Sequence, residues 1–170
     1  MKRIATVASI LVLGLALAVS LAACGGSGKT SAATQQLQRQ ADLYAIDQIE
    51  KTWHKASSTH NVNLMMTLWA PDATFTIATA TYTGKQQIRD FFVHTAGPFQ
   101  PQNHWLSDTP AYKVRITVNG DKGTLYFECH YVDLKTDKVV TVAAADQNVR
   151  KIDGRWLITS SAGATPTLQP

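Results

Sequence analysis

The feature that most constrains the fold is a change in hydrophobic period near the middle of the chain. Over 41–57, and again in shorter stretches before residue 100, apolar side chains recur every three or four positions, as on one face of an α-helix. After Pro101 they alternate with polar side chains, for example over 113–118, which is typical of half-buried strands. Because helices come first and strands last, the sequence predicts an α+β fold with an antiparallel sheet.

The helical part is predicted to contain three helices. The first is a long amphipathic helix over 41–57, with its apolar face repeating at helical spacing. Asn61 is placed to cap a second helix, which has to stop before Pro71. Thr83 and Gln86 have the spacing of a capping box and predict the start of a third helix.

Turn residues divide the second half into strands. Residues 73–82 alternate threonine with apolar residues and predict one or two short strands between the second and third helices. Asn119-Gly120 and Asp153-Gly154 are strong signals for two-residue hairpin turns. The strands predicted after Pro101 are 113–118, 123–133, 138–150 and 155–160.

The amino-terminal segment has the pattern of an export signal. Lys2 and Arg3 precede an almost wholly apolar stretch, and Leu-Ala-Ala-Cys at 21–24 resembles the bacterial lipobox. We therefore predict a lipoprotein signal peptide over 1–23 and a lipidated Cys24, which anchors the protein on the extracytoplasmic side of a bacterial membrane, either inner or outer. An uncleaved transmembrane helix is the alternative.

The segments flanking the domain are polar. Residues 24–40 are small and polar and predict a flexible tether, although its last third also fits the start of the first helix. The domain is expected over 41–163, followed by a disordered tail over 164–170.

Charge and cysteine content argue against several kinds of partner and site. The net charge is +4 and falls to about +2 without Lys2 and Arg3, and the remaining basic residues are scattered, so nucleic acid is not an expected partner. If Cys24 carries lipid, Cys129 has no partner in the chain and is predicted to be a buried apolar residue. No Cys-x-x-Cys pair or histidine pair with metal-ligand spacing is present, so no metal or cofactor is predicted.

Four segments in order, at 44–57, 68–75, 82–92 and 152–158, resemble the SnoaL-like branch of the nuclear transport factor 2-like superfamily. The resemblance implies a cone-shaped barrel in which a strongly curved antiparallel sheet wraps around the long first helix. It also implies a pocket for a small, mostly apolar molecule, and frequent dimerisation through the outer face of the sheet.

Similarity to scytalone dehydratase-like members of this fold implies two pocket histidines on neighbouring strands, which match His104 and His130. Histidine suits proton transfer near neutral pH. The Tyr-Asp pair of those enzymes falls on Ser57 and Ser58, which are poor acids or bases. The sequence therefore departs from that catalytic pattern.

The remaining predicted pocket residues come from the helices and the strands. Period two places Tyr126, Glu128 and His130 on one strand face, and a bulge would turn Asp146 inward. His54, His60 and His94 are expected in solvent, and Trp156 in the core. The predicted ligand-pocket residues are Tyr44, Trp53, Trp69, Phe92, Trp105, Tyr126, Glu128 and Asp146.

Three functions follow from this reading. The first is a tethered domain that binds a small apolar or amphipathic molecule. The second is a cofactor-free dehydratase or isomerase that uses His104 and His130 as general acid and base. The third is an interaction module that forms a homodimer. Fold alone does not choose between them.

Overall fold

The computed structural model describes residues 31–107 and 113–166. The predicted signal peptide, Cys24, and the last residues of the predicted tail lie outside the described residues. Within the described part, no helix has the length and apolar character that crossing a bilayer requires.

The first helix, α1, spans Ala32–Ser58. The side chain of Ser31 caps it by accepting a hydrogen bond from the Thr34 amide at 3.2 Å. Its buried stripe includes Ile46, Ile49 and Trp53, as the period of the sequence predicted. Because the helix starts at Ala32, the alternative that the last third of the predicted tether belongs to the first helix is confirmed, and the helix begins a few residues earlier still.

Two further α-helices and a short 3-10 helix precede the main strands. The predicted cap of α2 is confirmed, since Asn61 Oδ1 accepts from the Leu64 amide at 2.9 Å. At α3, Gln87 rather than Gln86 reaches back to the Thr83 amide, at 2.9 Å, and Thr83 makes no side-chain cap. The predicted start of the helix after Thr83 is thus confirmed, but the reciprocal capping box does not form. The bounds are Val62–Met66 for α2, Gly84–His94 for α3 and Gly97–Phe99 for the 3-10 helix.

Within the described residues, seven strands form one sheet. They run β1 Trp69–Ile77, β2 Ala80–Thr83, β3 Trp105–Ser107, β4 Lys113–Asn119, β5 Lys122–Asp133, β6 Lys138–Ile152 and β7 Arg155–Ala164. Their order is β2-β1-β7-β6-β5-β3, and β4 also pairs with β5. The path therefore has two ends among the described strands, and the sheet is an open, cone-like surface rather than a closed barrel.

The sheet is mixed, which corrects the antiparallel prediction. Strand β1 lies parallel to β7, while the other pairs are antiparallel. Periodicity predicts where a strand lies but not the direction of its partner, and β1 and β7 are separated by most of the domain. The long connection lets β7 return alongside β1 in the same direction.

Tight turns and bulges set the shape of the sheet. The hairpin at Asp153-Gly154 is confirmed, since these residues take φ values of 49° and 78°, as a type I′ turn requires. The first hairpin also forms, but Asn119 pairs with Lys122, so its two-residue turn is Gly120-Asp121, one residue later than predicted, and Gly120 has a φ of 61°. Register shifts between Asn148 and Val149 and between Tyr131 and Val132 mark bulges, which bend the strands around α1.

The two faces of β5 have different neighbours. Odd-numbered residues face α1: the Phe127 ring lies 5.6 Å from that of Trp53, and Cys129 Sγ is 3.5 Å from His54 Nε2. Even-numbered residues face away, where the Arg115 guanidinium stacks 3.8 Å from the Tyr126 ring centroid. A cavity between sheet and helix must therefore be lined by odd-numbered residues of this strand.

Candidate ligand-binding cavity

A cavity of about 390 Å³ lies between the inner face of the sheet and the helices. Trp53 and Ser57 of α1 line it, together with the end of α3, the 3-10 helix and strands β1, β3, β5 and β6. Ile77, Thr95 and Thr141 line it and are exposed, so the cavity opens to solvent between the end of β1, the end of α3 and β6. Its volume falls in the usual range of small-molecule sites.

Aromatic rings form a large part of the wall. Phe92 meets Trp53 edge to face at 5.7 Å and Phe99 at 5.2 Å, and it stacks on Phe75 at 5.9 Å. Each such pair adds about 0.5–1.5 kcal/mol beyond the burial of its area, which holds the wall rigid. The aromatic lining residues other than Tyr131 are Trp53, Phe75, Phe91, Phe92, Phe99 and Trp105.

Trp105 depends on a glycine. The indole ring rests on Gly97, where an added Cβ would lie 2.7 Å from an indole carbon. Both residues line the cavity. A side chain at position 97 would therefore push the ring out of its place, so Gly97 sets the shape of this wall.

Two of the lining hydroxyl groups are buried, those of Ser57 and Tyr131, whereas those of Thr95 and Thr141 lie at the exposed opening. Ser57 is fully buried in the last turn of α1, and its Oγ has no hydrogen-bond partner among the described residues. Tyr131 is 5% exposed on β5. Burial raises the pKa of Tyr131 and the neighbouring Cys129 raises it further, while the Ser57 hydroxyl beside it acts in the opposite direction. Tyr131 is therefore a protonated hydrogen-bond donor at neutral pH.

A buried polar cluster lies behind this end of the cavity. Glu50 Oε1 is 2.9 Å from His54 Nε2, and His54 Nδ1 shares a hydrogen bond with the Ser107 hydroxyl. Cys129 Sγ completes the group on the sheet side. Burial raises the pKa of the Cys129 thiol to about 12, so it stays protonated. We call Glu50, His54, Ser107 and Cys129 the helix cluster.

The position of His54 was not foreseen. It was predicted to lie in solvent, but its side chain is fully buried, because α1 passes under β3 and β5 at this point. The sequence signal for this burial was the spacing of Glu50 and His54, which are four residues apart and flank the apolar stripe of the helix. Cys129 is buried as predicted.

The two histidines predicted to be catalytic do not line the cavity. His104 precedes β3 and is exposed, near enough to Asp133 to help lower the pKa of that carboxyl group, although hydrogen bonds from the Thr136 and Lys135 amides contribute most. His130 is an even-numbered, half-buried residue of β5 and faces away from α1. Their catalytic role stays a prediction, without support from this geometry.

Of the predicted pocket residues, Trp53, Phe92 and Trp105 line the cavity. Tyr44 is 65% exposed, because it lies on the outer side of α1. Trp69 is fully buried within the core, 6.0 Å from Trp53, and does not reach the cavity.

Three strand residues were assigned to the wrong face. Tyr126 and Glu128 are buried on the outer face of the sheet, where the Tyr126 hydroxyl donates to Glu128 and Lys113 Nζ lies 3.5 Å from the same carboxylate. Asp146 pairs with Tyr126 across the strands and is exposed on that face. The alternation was predicted correctly, but the choice of the concave face was not.

The lining residues that the prediction missed are mainly Ser57, Phe75, Phe99 and Tyr131. Tyr131 is odd-numbered like Leu125 and Phe127, so the more hydrophobic face of β5 indicated that Tyr131 lies on the inner side of the sheet. Phe99 follows Gly97-Pro98, where the sequence shows no hydrophobic period that would predict its burial. In the described part of the chain, no three His, Cys, Asp or Glu side chains come together as metal ligands do.

Comparison with known proteins agrees with this architecture. A family model described as a SnoaL-like domain matches residues 38–162. The chain belongs to this SnoaL-like family. Among curated proteins, no sequence matches this SnoaL-like chain significantly.

Solved structures similar to this SnoaL-like chain share its fold. A nuclear transport factor 2-like protein with a cystatin-like fold from Novosphingobium aromaticivorans is 16% identical, with a TM-score of 0.65 over 81% of this chain and 91% of that chain. A hexachlorocyclohexane dehydrochlorinase of LinA type from Novosphingobium barchaimii is 18% identical, with a TM-score of 0.63 over 76% of this chain and 89% of that one. At these identities the likeness concerns the fold.

Proposed function

We propose that the chain is a lipid-anchored protein of the bacterial cell envelope whose SnoaL-like domain binds a small apolar or amphipathic molecule. The observation that carries the proposal is the cavity of about 390 Å³ with aromatic walls and an opening to solvent. An apolar molecule that leaves water for such a site gains roughly 25 cal/mol per Å² of apolar surface buried. The rigid walls reduce the cost of ordering the site.

The similar dehydrochlorinase supports this proposal in one respect. Its name indicates action on hexachlorocyclohexane, a compact apolar ring compound. In the same fold, the cavity lined by Trp53, Phe75 and Phe92 offers apolar surroundings suited to a molecule of that class.

The second candidate is a cofactor-free lyase or isomerase. The buried Glu50–His54 pair favours it, because His54 lies one helical turn before Ser57. However, none of the described residues that line the cavity is a histidine, an aspartate or a glutamate, and Tyr131 is held protonated. A general base would have to act through other groups, so binding without chemistry is the better supported function.

Binding is tested by native mass spectrometry of the full chain purified from a bacterial host. We expect an added mass in the native spectrum that disappears on denaturation, and extraction identifies the molecule. Ala143 lines the cavity from an exposed position, so Ala143→Trp fills the space without disturbing the core. This variant should lack the added mass. An added mass retained by Ala143→Trp would place the ligand elsewhere and contradict the proposal.

The anchor is tested separately by metabolic labelling with a clickable palmitate analogue. The wild type should incorporate the label and fractionate with membranes. Cys24→Ser should abolish both, and Cys129→Ser is the matched control, because Cys129 is buried in the domain. Incorporation into Cys24→Ser at the wild-type level would refute lipidation at this residue.

A further inference from the structure

The cavity walls are uncharged. None of the described lining residues is Lys, Arg, His, Asp or Glu. An ionised carboxylate or ammonium group moved from water into such surroundings loses several kcal/mol of hydration with no countercharge to replace it. A ligand that sits fully inside must therefore be uncharged at its buried part.

One buried hydroxyl group at the cavity, that of Ser57, lacks a hydrogen-bond partner. Ser57 is fully buried, and its Oγ lies beside the Tyr131 hydroxyl, but the two do not meet hydrogen-bond geometry and no other described residue bonds this Oγ. A buried hydroxyl left in that state costs roughly 1–3 kcal/mol. Because Ser57 lines the cavity, a ligand atom is positioned to satisfy it.

Tyr131 supplies a second hydroxyl at the same place. It lines the cavity from β5 beside Ser57 and is 5% exposed. The helix cluster lies behind it, with Cys129 two residues earlier on the same strand face. The two hydroxyl groups lie side by side at the cavity, one carried by α1 and one by β5.

We propose that the ligand is an uncharged molecule with an apolar ring body and one oxygen atom, a hydroxyl or a carbonyl, that is hydrogen-bonded by Ser57 and Tyr131. This inference rests on the proposed binding function and adds the chemical class of the ligand. The ring body packs against Trp53, Phe92 and Trp105. The single oxygen sets its orientation, since the rest of the wall is almost entirely apolar.

Isothermal titration calorimetry of the full chain with three probes tests this inference. Naphthol has the ring and one hydroxyl, naphthalene has the ring alone, and naphthoate adds a charge. We expect naphthol to bind roughly tenfold more tightly than naphthalene, the worth of one net hydrogen bond, and naphthoate to show no binding.

Two conservative variants locate the oxygen. Ser57→Ala and Tyr131→Phe should each reduce the affinity for naphthol by roughly five- to tenfold and leave that for naphthalene unchanged. Ser160→Ala is the matched control, because Ser160 bonds Asn148 and does not line the cavity. Ala143→Trp should remove binding of both neutral probes.

The outcomes separate this inference from the proposed function. If naphthol and naphthalene bind with equal affinity, or if both variants bind naphthol as tightly as the wild type does, the hydrogen-bonding site is overturned while the cavity remains a binding site. Binding of naphthoate as tight as that of naphthol overturns the requirement for an uncharged ligand. If no probe binds, or if Ala143→Trp binds them all, the proposed function fails as well.

Discussion

The buried polar groups along α1 differ in whether they have partners. Asp42 accepts hydrogen bonds from Lys151 at 2.7 Å and Trp156 at 2.9 Å, and Glu50 and His54 satisfy each other in the helix cluster. Ser57, one turn further along, has no partner and faces the cavity. Partnered groups hold the helix on the sheet, whereas the unpartnered one leaves a hydrogen-bonding site available to a ligand.

The largest effect is expected at the centre of the helix cluster. Glu50→Ala leaves His54 buried without its carboxylate, so we expect the free energy of unfolding to fall by about 3 kcal/mol. Urea denaturation followed by circular dichroism measures this. Lys51→Ala, which removes an exposed ion pair to Asp47, is the control and should cause no resolvable change. A loss under about 1 kcal/mol for Glu50→Ala would show that the cluster is not a structural unit.

A second prediction concerns the thiol of the same cluster. With a pKa of about 12, Cys129 has about a thousandfold less thiolate at pH 8 than a free cysteine. Alkylation by iodoacetamide should therefore be negligible in the native protein and complete in guanidinium, as measured by mass spectrometry of the peptide containing Cys129. Rapid labelling under native conditions would contradict the packing of this strand.

Asp42, which has hydrogen-bond partners on the sheet, predicts that the stability of the protein depends on pH. Burial alone would raise the pKa of Asp42, but hydrogen bonds from Lys151, Trp156 and Gln38 outweigh it and hold the pKa below its ordinary value. The stabilisation is therefore present above the unfolded pKa near 4 and is lost as the pH falls through the folded pKa. Asp42→Asn should cost roughly 1–2 kcal/mol at pH 7.

The matching measurement is urea unfolding of wild type and Asp42→Asn from pH 2 to pH 7. The two curves should converge at the acid end, because both side chains are then uncharged. A gap that stays constant across this range would mean that the charge of Asp42 does not contribute.

The smallest expected change in stability gives the sharpest test of partnered against unpartnered groups, because it compares two neighbouring serines. Ser58 Oγ accepts from the Ser107 amide at 2.9 Å, so Ser58→Ala should cost about 1 kcal/mol. Ser57→Ala removes a hydroxyl that has no partner, so the stability should stay the same or rise slightly. Thermal unfolding of the two variants side by side checks this. A larger loss at Ser57 than at Ser58 would assign Ser57 to the fold instead of the ligand.

Much of the fold could be predicted from local pattern. The stripe through Ile46, Ile49 and Trp53 predicted α1, and Asp153-Gly154 predicted a turn whose left-handed backbone few other residue pairs accept. The parallel pairing of β1 with β7 could not be predicted this way, because it joins segments that are far apart in the chain.

The site was predicted less well, for a physical reason. Alternation along β5 separated Tyr126, Glu128 and His130 from Phe127 and Tyr131 correctly, but either face can be the concave one. Charged and titratable residues were assigned to the pocket because they carry chemistry. The structure places the apolar set there instead. Ser57, which the resemblance aligned with a pocket residue of related enzymes, was left out of the predicted pocket because serine is a poor acid or base.

The sequence by itself determined most of the helices and strands, the family, and the presence of a core rich in aromatic residues. These depend on spacings of three, four and two residues and on turn residues, which act over short distances. Only the tertiary structure decided that His54 is buried, that the inner face of β5 bears Tyr131, and that Ser57 ends beside a cavity without a partner. Those properties depend on which surfaces of α1 and the sheet meet, and no local pattern encodes that contact.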